Sequence, residues 1–176
     1  MKGFTLIETL VAVMLLSLAI AGPLTIASKS LNATLVSKDQ FIAFYLAQDA
    51  IEQVRYLRDT SALCLAAGSS SGSCAGVTDW LSRLALCVSV DGCKIDTVQD
   101  TVTSCVGACT TLNYDAANHY YSYTSGSLSP QRFIRTIKIT NTVADEAVVT
   151  VTVSWSDLAG VTHLPVTVRE NIFRWQ

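Results

Sequence analysis

Between Phe4 and Ser28 the chain has one ionisable side chain, Glu8, in an otherwise apolar run that Lys29 closes. About 25 residues at about 1.5 Å rise give roughly 37 Å of helix, enough to cross a hydrocarbon core of about 30 Å. Most of the chain's hydrophobic excess lies here, so the remainder reads as an ordinary soluble domain. A secretory signal has a shorter core and a small-residue cleavage site after it, and no convincing A-x-A site precedes Lys29. A plain anchor gives no reason for a carboxylate in the apolar run. Such a charge costs a few kcal/mol or more unless it lies near the interface or is paired. Glu8 therefore calls for a partner.

The residues around it supply one. A basic residue and a glycine, Lys2 and Gly3, precede Phe4, and Glu8 follows within the string GFTLIETLVA. This layout resembles the N-terminus of type IV prepilins and their pseudopilin relatives. The resemblance implies a leader of residues 1–3 removed by a membrane aspartic protease, the prepilin peptidase. It implies cleavage after Gly3 and N-methylation of the new terminus at Phe4. It also implies that Glu8 meets the terminal amine of a neighbouring subunit. A buried carboxylate beside a cation is tolerable, and such a pair helps fix the register between helices. Residues 4–28 then serve twice, as a membrane anchor and as a fibre-core helix packed on other pilin subunits. Pro23 lacks an N–H and clashes with the preceding turn, so a kink or unwound stretch is expected at Gly22–Pro23.

Helical patterning continues beyond the apolar run. Ile42, Ala43, Leu46, Ala47, Ala50, Ile51, Val54 and Leu57 recur at three- and four-residue spacing and form one apolar face. Lys38, Asp39, Gln48, Asp49, Glu52 and Arg55 mostly fall elsewhere. The pattern predicts one helix from about 4 to 58, roughly 80 Å long, with an amphipathic part over 29–60. Residues 66–76, AAGSSSGSCAG, read as a loop. Thr78 or Asp79 is placed to cap a short helix carrying Trp80, Leu81, Leu84 and Leu86.

Six cysteines, Cys64, Cys74, Cys87, Cys93, Cys105 and Cys109, share one stretch, and His119 and His163 lie outside it. In a small, exported-looking domain this reads as disulfides, with zinc as the competing reading. No pair has C-x-x-C spacing. Six cysteines allow about 15 pairings, and the expectation is nearest neighbours: Cys64 with Cys74, Cys87 with Cys93, Cys105 with Cys109. Residues 61–126 are thus expected to be a disulfide-rich loop region, with a tyrosine cluster (Tyr114, Tyr120, Tyr121, Tyr123) read as core or as cover for a sheet edge.

The period then changes to two. Phe133, Arg135, Ile137 and Ile139 share one side of a strand, as do Ala147, Val149, Val151, Val153 and Trp155 of the next, and Leu164, Val166 and Val168 of a third. Turn-prone Ala144-Asp145-Glu146 and Asp157-Leu158-Ala159-Gly160 separate them, which predicts an antiparallel meander over 130–174. The apolar face of the helix covers it. The run VTVTVSWSDLAG is similar to the second strand and hairpin of minor-pilin heads. The fold class is therefore α+β and pilin-like: a long N-terminal helix on a C-terminal antiparallel sheet, with a cysteine-rich insert. The globular head spans 29–176. Many pilins have a C-terminal disulfide loop, and this chain has no cysteine there.

No P-loop, H-E-x-x-H or dinucleotide fingerprint occurs, and two histidines leave little room for a triad or metal centre. His119 reads as a loop residue and His163 as lying near a strand start. Asp91, Asp96 and Asp100 are spaced somewhat like the calcium ligands of some pseudopilin heads but match no EF-hand loop. Hence no enzyme, cofactor or metal is expected. The formal charge of −2, or −3 without Lys2, comes with no Lys/Arg cluster, so no direct nucleic-acid binding is evident. The resemblance implies partners: the prepilin peptidase, other pilin or pseudopilin subunits, and an inner-membrane assembly platform. It implies a single-pass inner-membrane precursor with its head outside the cytoplasm, and later a fibre at the cell surface or in the periplasm. The expected function is that of a minor pilin of a type IV pilus. The alternatives are a minor pseudopilin of a type II secretion system and a competence pilin for DNA uptake.

Overall fold

A computed structural model describes residues 3, 5–68, 70–129, 132–140, 143, 145–157 and 160–174. Met1 and Lys2 of the expected leader, the expected new terminus Phe4, and Ala144, Leu158 and Ala159 of the expected turns lie outside that set. The chain divides into two compact units, 1–40 and 41–176.

Helix α1 runs Leu6–Ala66. In the first unit its apolar residues are exposed on every side; Leu6, Ile7, Leu10, Met14, Leu16, Leu18, Leu24 and Ile26 are all more than half exposed. α1 continues through Gly22 and Pro23, so no locally unwound stretch interrupts it, although Pro23 can donate no N–H to the carbonyl one turn back. At its other end α1 reaches Ala66, eight residues past the expected Arg58. The polar residues after Arg58 turn back onto their own helix: Thr60 Oγ1 donates to the Tyr56 carbonyl at 2.8 Å and Ser61 Oγ to that of Leu57 at 2.9 Å. Cys64 is buried in the last turns.

In the second unit, Ala43, Leu46, Ala47, Ala50, Ile51, Val54 and Leu57 of α1 enter one core with strand residues. A 3₁₀ turn, Gly72–Cys74, is followed by a 3₁₀ helix, Ser82–Val88. Its start inverts the expected cap. The Ser82 hydroxyl accepts the backbone N–H groups of Thr78 (3.0 Å) and Asp79 (2.7 Å). Trp80, Leu81 and Leu84 are buried, whereas Leu86 is half exposed.

Eight strands follow: β1 (Cys93–Asp96), β2 (Thr101–Ser104), β3 (Asn113–Asp115), β4 (Tyr120–Ser122), β5 (Ser127–Leu128), β6 (Arg132–Thr140), β7 (Glu146–Ser156) and β8 (Val166–Phe173). The main sheet has the order β2-β1-β6-β7-β8, and β4-β3-β5 form a small second sheet. β6, β7 and β8 make the expected antiparallel meander, with Ile137 opposite Val151 and Val151 opposite Val168. Phe133, Arg135, Ile137 and Ile139 are buried, as are Ala147, Val149, Val151, Val153 and Trp155. Two differences stand out. The region expected as loop contributes two strands to the main sheet and a sheet of its own. The third meander strand begins after Pro165, so Leu164 is exposed and Ile172 is the strand's buried residue.

Arg135 sits on the apolar face, and both terminal nitrogens of its guanidinium hold α1 to the strands, while its buried Nε has no hydrogen-bond partner among the described residues. Nη1 donates to the Leu46 carbonyl (3.0 Å) and pairs with Asp49 (2.7 Å), while Nη2 donates to the Ile95 carbonyl (2.7 Å). One pairing of a buried cation with two carbonyls and a carboxylate makes burial of the charge tolerable.

Candidate functional site

The residues singled out for processing and assembly lie at the start of α1. Gly3 is exposed, and a Cβ built on it meets nothing within 4 Å. No described residue crowds that position. Thr5 precedes the helix and its carbonyl accepts the N–H groups of Glu8 (3.0 Å) and Thr9 (3.2 Å). Glu8 thus stands in the first helical turn, where the free N–H groups and the helix dipole favour an anion. Its side chain is exposed, and among the described residues its carboxylate has no ion-pair or hydrogen-bond partner. The expected partner, the terminus at Phe4 of another subunit, lies outside the described residues of this single chain.

Beyond Glu8 the helix surface has little that is polar left to offer. The hydroxyls of Thr9, Ser17, Thr25 and Ser28 donate to the carbonyls of Leu6, Val13, Gly22 and Thr25 at 2.7–3.0 Å. These side chains satisfy their donors within their own helix, which is what an apolar surrounding demands. A helix apolar all round needs lipid or other helices as its solvent. Gly22 shows the same freedom as Gly3, with nothing within 4 Å of an added Cβ.

The six cysteines form three bonds: Cys64–Cys74, Cys87–Cys93 and Cys105–Cys109. They are nearest neighbours along the chain. The first ties the end of α1 to the loop after it. The second joins the 3₁₀ helix to the start of β1. The third closes a short loop whose Gly107 N–H donates to Asp91 at 3.0 Å.

The three aspartates with calcium-like spacing are not brought together. Asp91 accepts from Gly107, Asp100 accepts from Gln53 at 2.6 Å, and Asp96 is buried. Among the described residues no group of three His, Cys, Asp or Glu side chains is arranged to hold a metal ion. Asp96 is a structural bolt that the sequence did not reveal. It accepts from Ser122 Oγ (2.9 Å), Thr124 Oγ1 (3.1 Å) and the N–H groups of Tyr123 and Val98 (both 3.0 Å). Burial pushes its carboxyl up, but these donors outweigh burial and hold it below the usual carboxylate value. Asp96 thereby fastens the segment after β4 to β1.

The tyrosines join the same packing. Tyr121 meets Tyr114 at 5.0 Å and Phe133 edge-on at 5.6 Å, and the Tyr123 hydroxyl donates to the Arg135 carbonyl. His119 sits in a turn with a left-handed backbone and contacts the Tyr114 hydroxyl through Nδ1 at 3.1 Å. His163 stacks on Trp155, centroids 5.8 Å apart. A hollow of about 320 Å³ beside Tyr45 and Tyr120 is lined by one acid, Asp49, which Arg135 already engages.

Residues 1–22 match the family model described as the prokaryotic N-terminal methylation motif. No curated protein and no solved structure matches the chain. The N-terminal segment therefore carries a prepilin-type signal, of the kind found on type IV pilin-like and pseudopilin precursors. The match spans that segment and not the head.

Proposed function

We propose that this chain is a structural minor pilin, not an enzyme, and that it is trimmed after Gly3, methylated at Phe4 and assembled into a type IV pilus. The observation that carries the reading is the prepilin-type signal at residues 1–22, followed without a break by an exposed apolar helix. Gly3 fits the role of a protease determinant because no described residue crowds a Cβ at that position. Glu8 fits the role of a register group because it is the lone carboxylate of the apolar run and has no partner among the described residues. In this reading residues 1–3 are the leader, 4–28 the anchor and fibre-core helix, and 29–176 the head. The precursor waits in the inner membrane with its head outside the cytoplasm. Its partners are the prepilin peptidase, other pilins and the assembly platform, and Gly22–Pro23 is where the core helix loosens on assembly.

The test is Glu8→Ala in the native host. Membrane fractionation should find the variant inserted as before, because removing a charge favours the bilayer. Its amount in fibres sheared from cells should fall at least tenfold, about 1.4 kcal/mol of lost pairing. Unchanged incorporation overturns the pairing role. Absence of the wild-type chain from sheared fibres, with a secretion defect on its deletion, replaces the pilus reading with a secretion pseudopilin.

A further inference from the structure

The hollow of about 320 Å³ in the head lies between α1, the turn after β1 and strand β4. Its size is at the lower end of the range for small-molecule sites, about 300–1,000 Å³. Three tyrosines line it: Tyr45 of α1, which is 67% exposed, and Tyr120 and Tyr121 of β4. Among the described residues of the lining, Asp49 is the sole charged one. Its side chain is half exposed, and only Oδ2 is engaged, by Arg135 at 2.7 Å. A second acid stands close to the mouth. Asp100 follows Val98 of the lining by two residues, and its carboxylate accepts from Gln53 Nε2 (2.6 Å), one helical turn beyond Asp49.

The walls are held in place within the head itself. Arg135 fixes Asp49, Ser125 Oγ donates to the Tyr120 hydroxyl at 3.1 Å, and Phe133 packs edge-on against the Tyr121 ring. The buried Asp96 accepts the Val98 N–H at 3.0 Å, which secures the turn after β1. A guest therefore meets a formed site and does not have to order one.

We propose that this hollow binds a free alkylated ammonium ion of the choline type, its methyl groups against the tyrosines and its charge toward Asp49. Charge complementarity selects a cation, because the lining holds an acid and no base. A neutral apolar guest would cover that carboxylate and balance nothing. The demand for hydrogen bonds then selects the kind of cation. A lysine ammonium has three N–H donors and a guanidinium five, and a sugar brings several hydroxyls. The acceptors here are largely spent: Arg135 takes the Leu46 carbonyl and Asp49 Oδ2, and Ser125 takes the Tyr120 hydroxyl. Donors left unmet in such a site cost affinity. A divalent metal ion asks for about six oxygen ligands, and the lining has a single carboxylate. A quaternary ammonium makes no such demand, and tyrosine rings attract it through their faces. The inference concerns residues 41–176 alone and does not rest on the fibre reading.

The test is titration of choline into the full-length chain in alkyl maltoside micelles. Binding is read by saturation transfer from the protein to the choline methyl protons, with empty micelles as the blank. Saturable binding with a Kd of about 1 mM is expected. Dimethylbutanol, which has the same shape without the charge, and ethanolamine, which has the charge without the methyl groups, should each bind roughly tenfold more weakly. Glycerophosphocholine carries the same cation beside a phosphate, as a lipid headgroup does. It should bind several-fold more weakly than choline, because the phosphate meets Asp49 and Asp100. Tyr45→Ala should weaken choline binding about fivefold and Asp49→Asn about tenfold. Tyr56→Ala, at a half-exposed tyrosine of α1 outside the hollow, should leave it unchanged. If Asp49→Asn loses its cooperative melting transition because Arg135 is stranded, Tyr45→Ala with Tyr120→Leu takes its place, with a loss of about tenfold expected. Absence of saturable choline binding, dimethylbutanol or glycerophosphocholine binding as tightly as choline, or wild-type affinity in Tyr45→Ala overturns the proposal.

Discussion

The two units obey opposite rules of burial. In residues 41–176 apolar side chains from helix and strands close one core, and two buried charged groups are tied: Arg135 to Asp49 and two carbonyls, Asp96 to four donors. In residues 1–40 the apolar side chains point outward, and hydroxyls fold back onto their own helix. The first arrangement is complete within one chain. The second has no core of its own and becomes stable only in lipid or among other helices. Fold stability and exposed apolar surface thus fall on different stretches of sequence, even though α1 contributes to both.

That separation is open to attack by paired substitutions. The largest contrast is Phe133→Ala against Leu16→Ala, followed by thermal unfolding in micelles. Phe133 is fully buried, so its truncation should cost the head about 3–5 kcal/mol. Leu16 is 62% exposed, and its loss should leave the head's transition unmoved. A shift with Leu16→Ala would mean that the two units are energetically coupled. Next comes Cys64→Ser with Cys74→Ser. Opening that ten-residue separation should destabilise the head by about 2–3 kcal/mol, with membrane insertion unchanged.

The smallest effect sharpens the same comparison through pH. Asp96 has a folded-state value below its ordinary 3.8. The stabilisation it gives is therefore complete above the unfolded value and is lost as pH falls through the lower folded value. Denaturant melts of wild type should weaken below about pH 4. Asp96→Asn should be less stable at neutral pH and show a shallower loss on the acid side. An identical pH profile in the variant would show that this carboxylate is not the bolt described.

What could be read from the chain followed the length of its patterns. The apolar run, the striped helix and strands β6 and β7 each repeat a period often enough to be recognised, and Arg135 fell on the apolar side by alternation alone. β1 to β5 have two to four residues each, too few for a period to register. Their pairing depends on ties distant in sequence, the Asp96 contacts with residues 122–124 and the pairing of β1 with β6, which no local window contains. Asp39, placed on the polar side by pattern, is 7% exposed. The end of α1 was placed too early because the apolar stripe that marks the helix ends at Leu57, whereas the helix runs on to Ala66. In the fold Thr60 and Ser61 bond backward, and Arg58 reaches the Phe173 carbonyl at 3.1 Å. The N-terminal signal was legible for the opposite reason: it is a short motif, matched by a family model at residues 1–22, that needs no folded context to be recognised.

The central claim is that the outward-facing helix is released by trimming so that its new terminus can meet Glu8 of a neighbour. It is tested most directly by N-terminal mass spectrometry of the chain recovered from cells that hold the processing protease. The account predicts a first residue of Phe4 bearing one methyl group, and an untrimmed chain in Gly3→Glu. A wild-type chain that still begins at Met1 in those cells would contradict it.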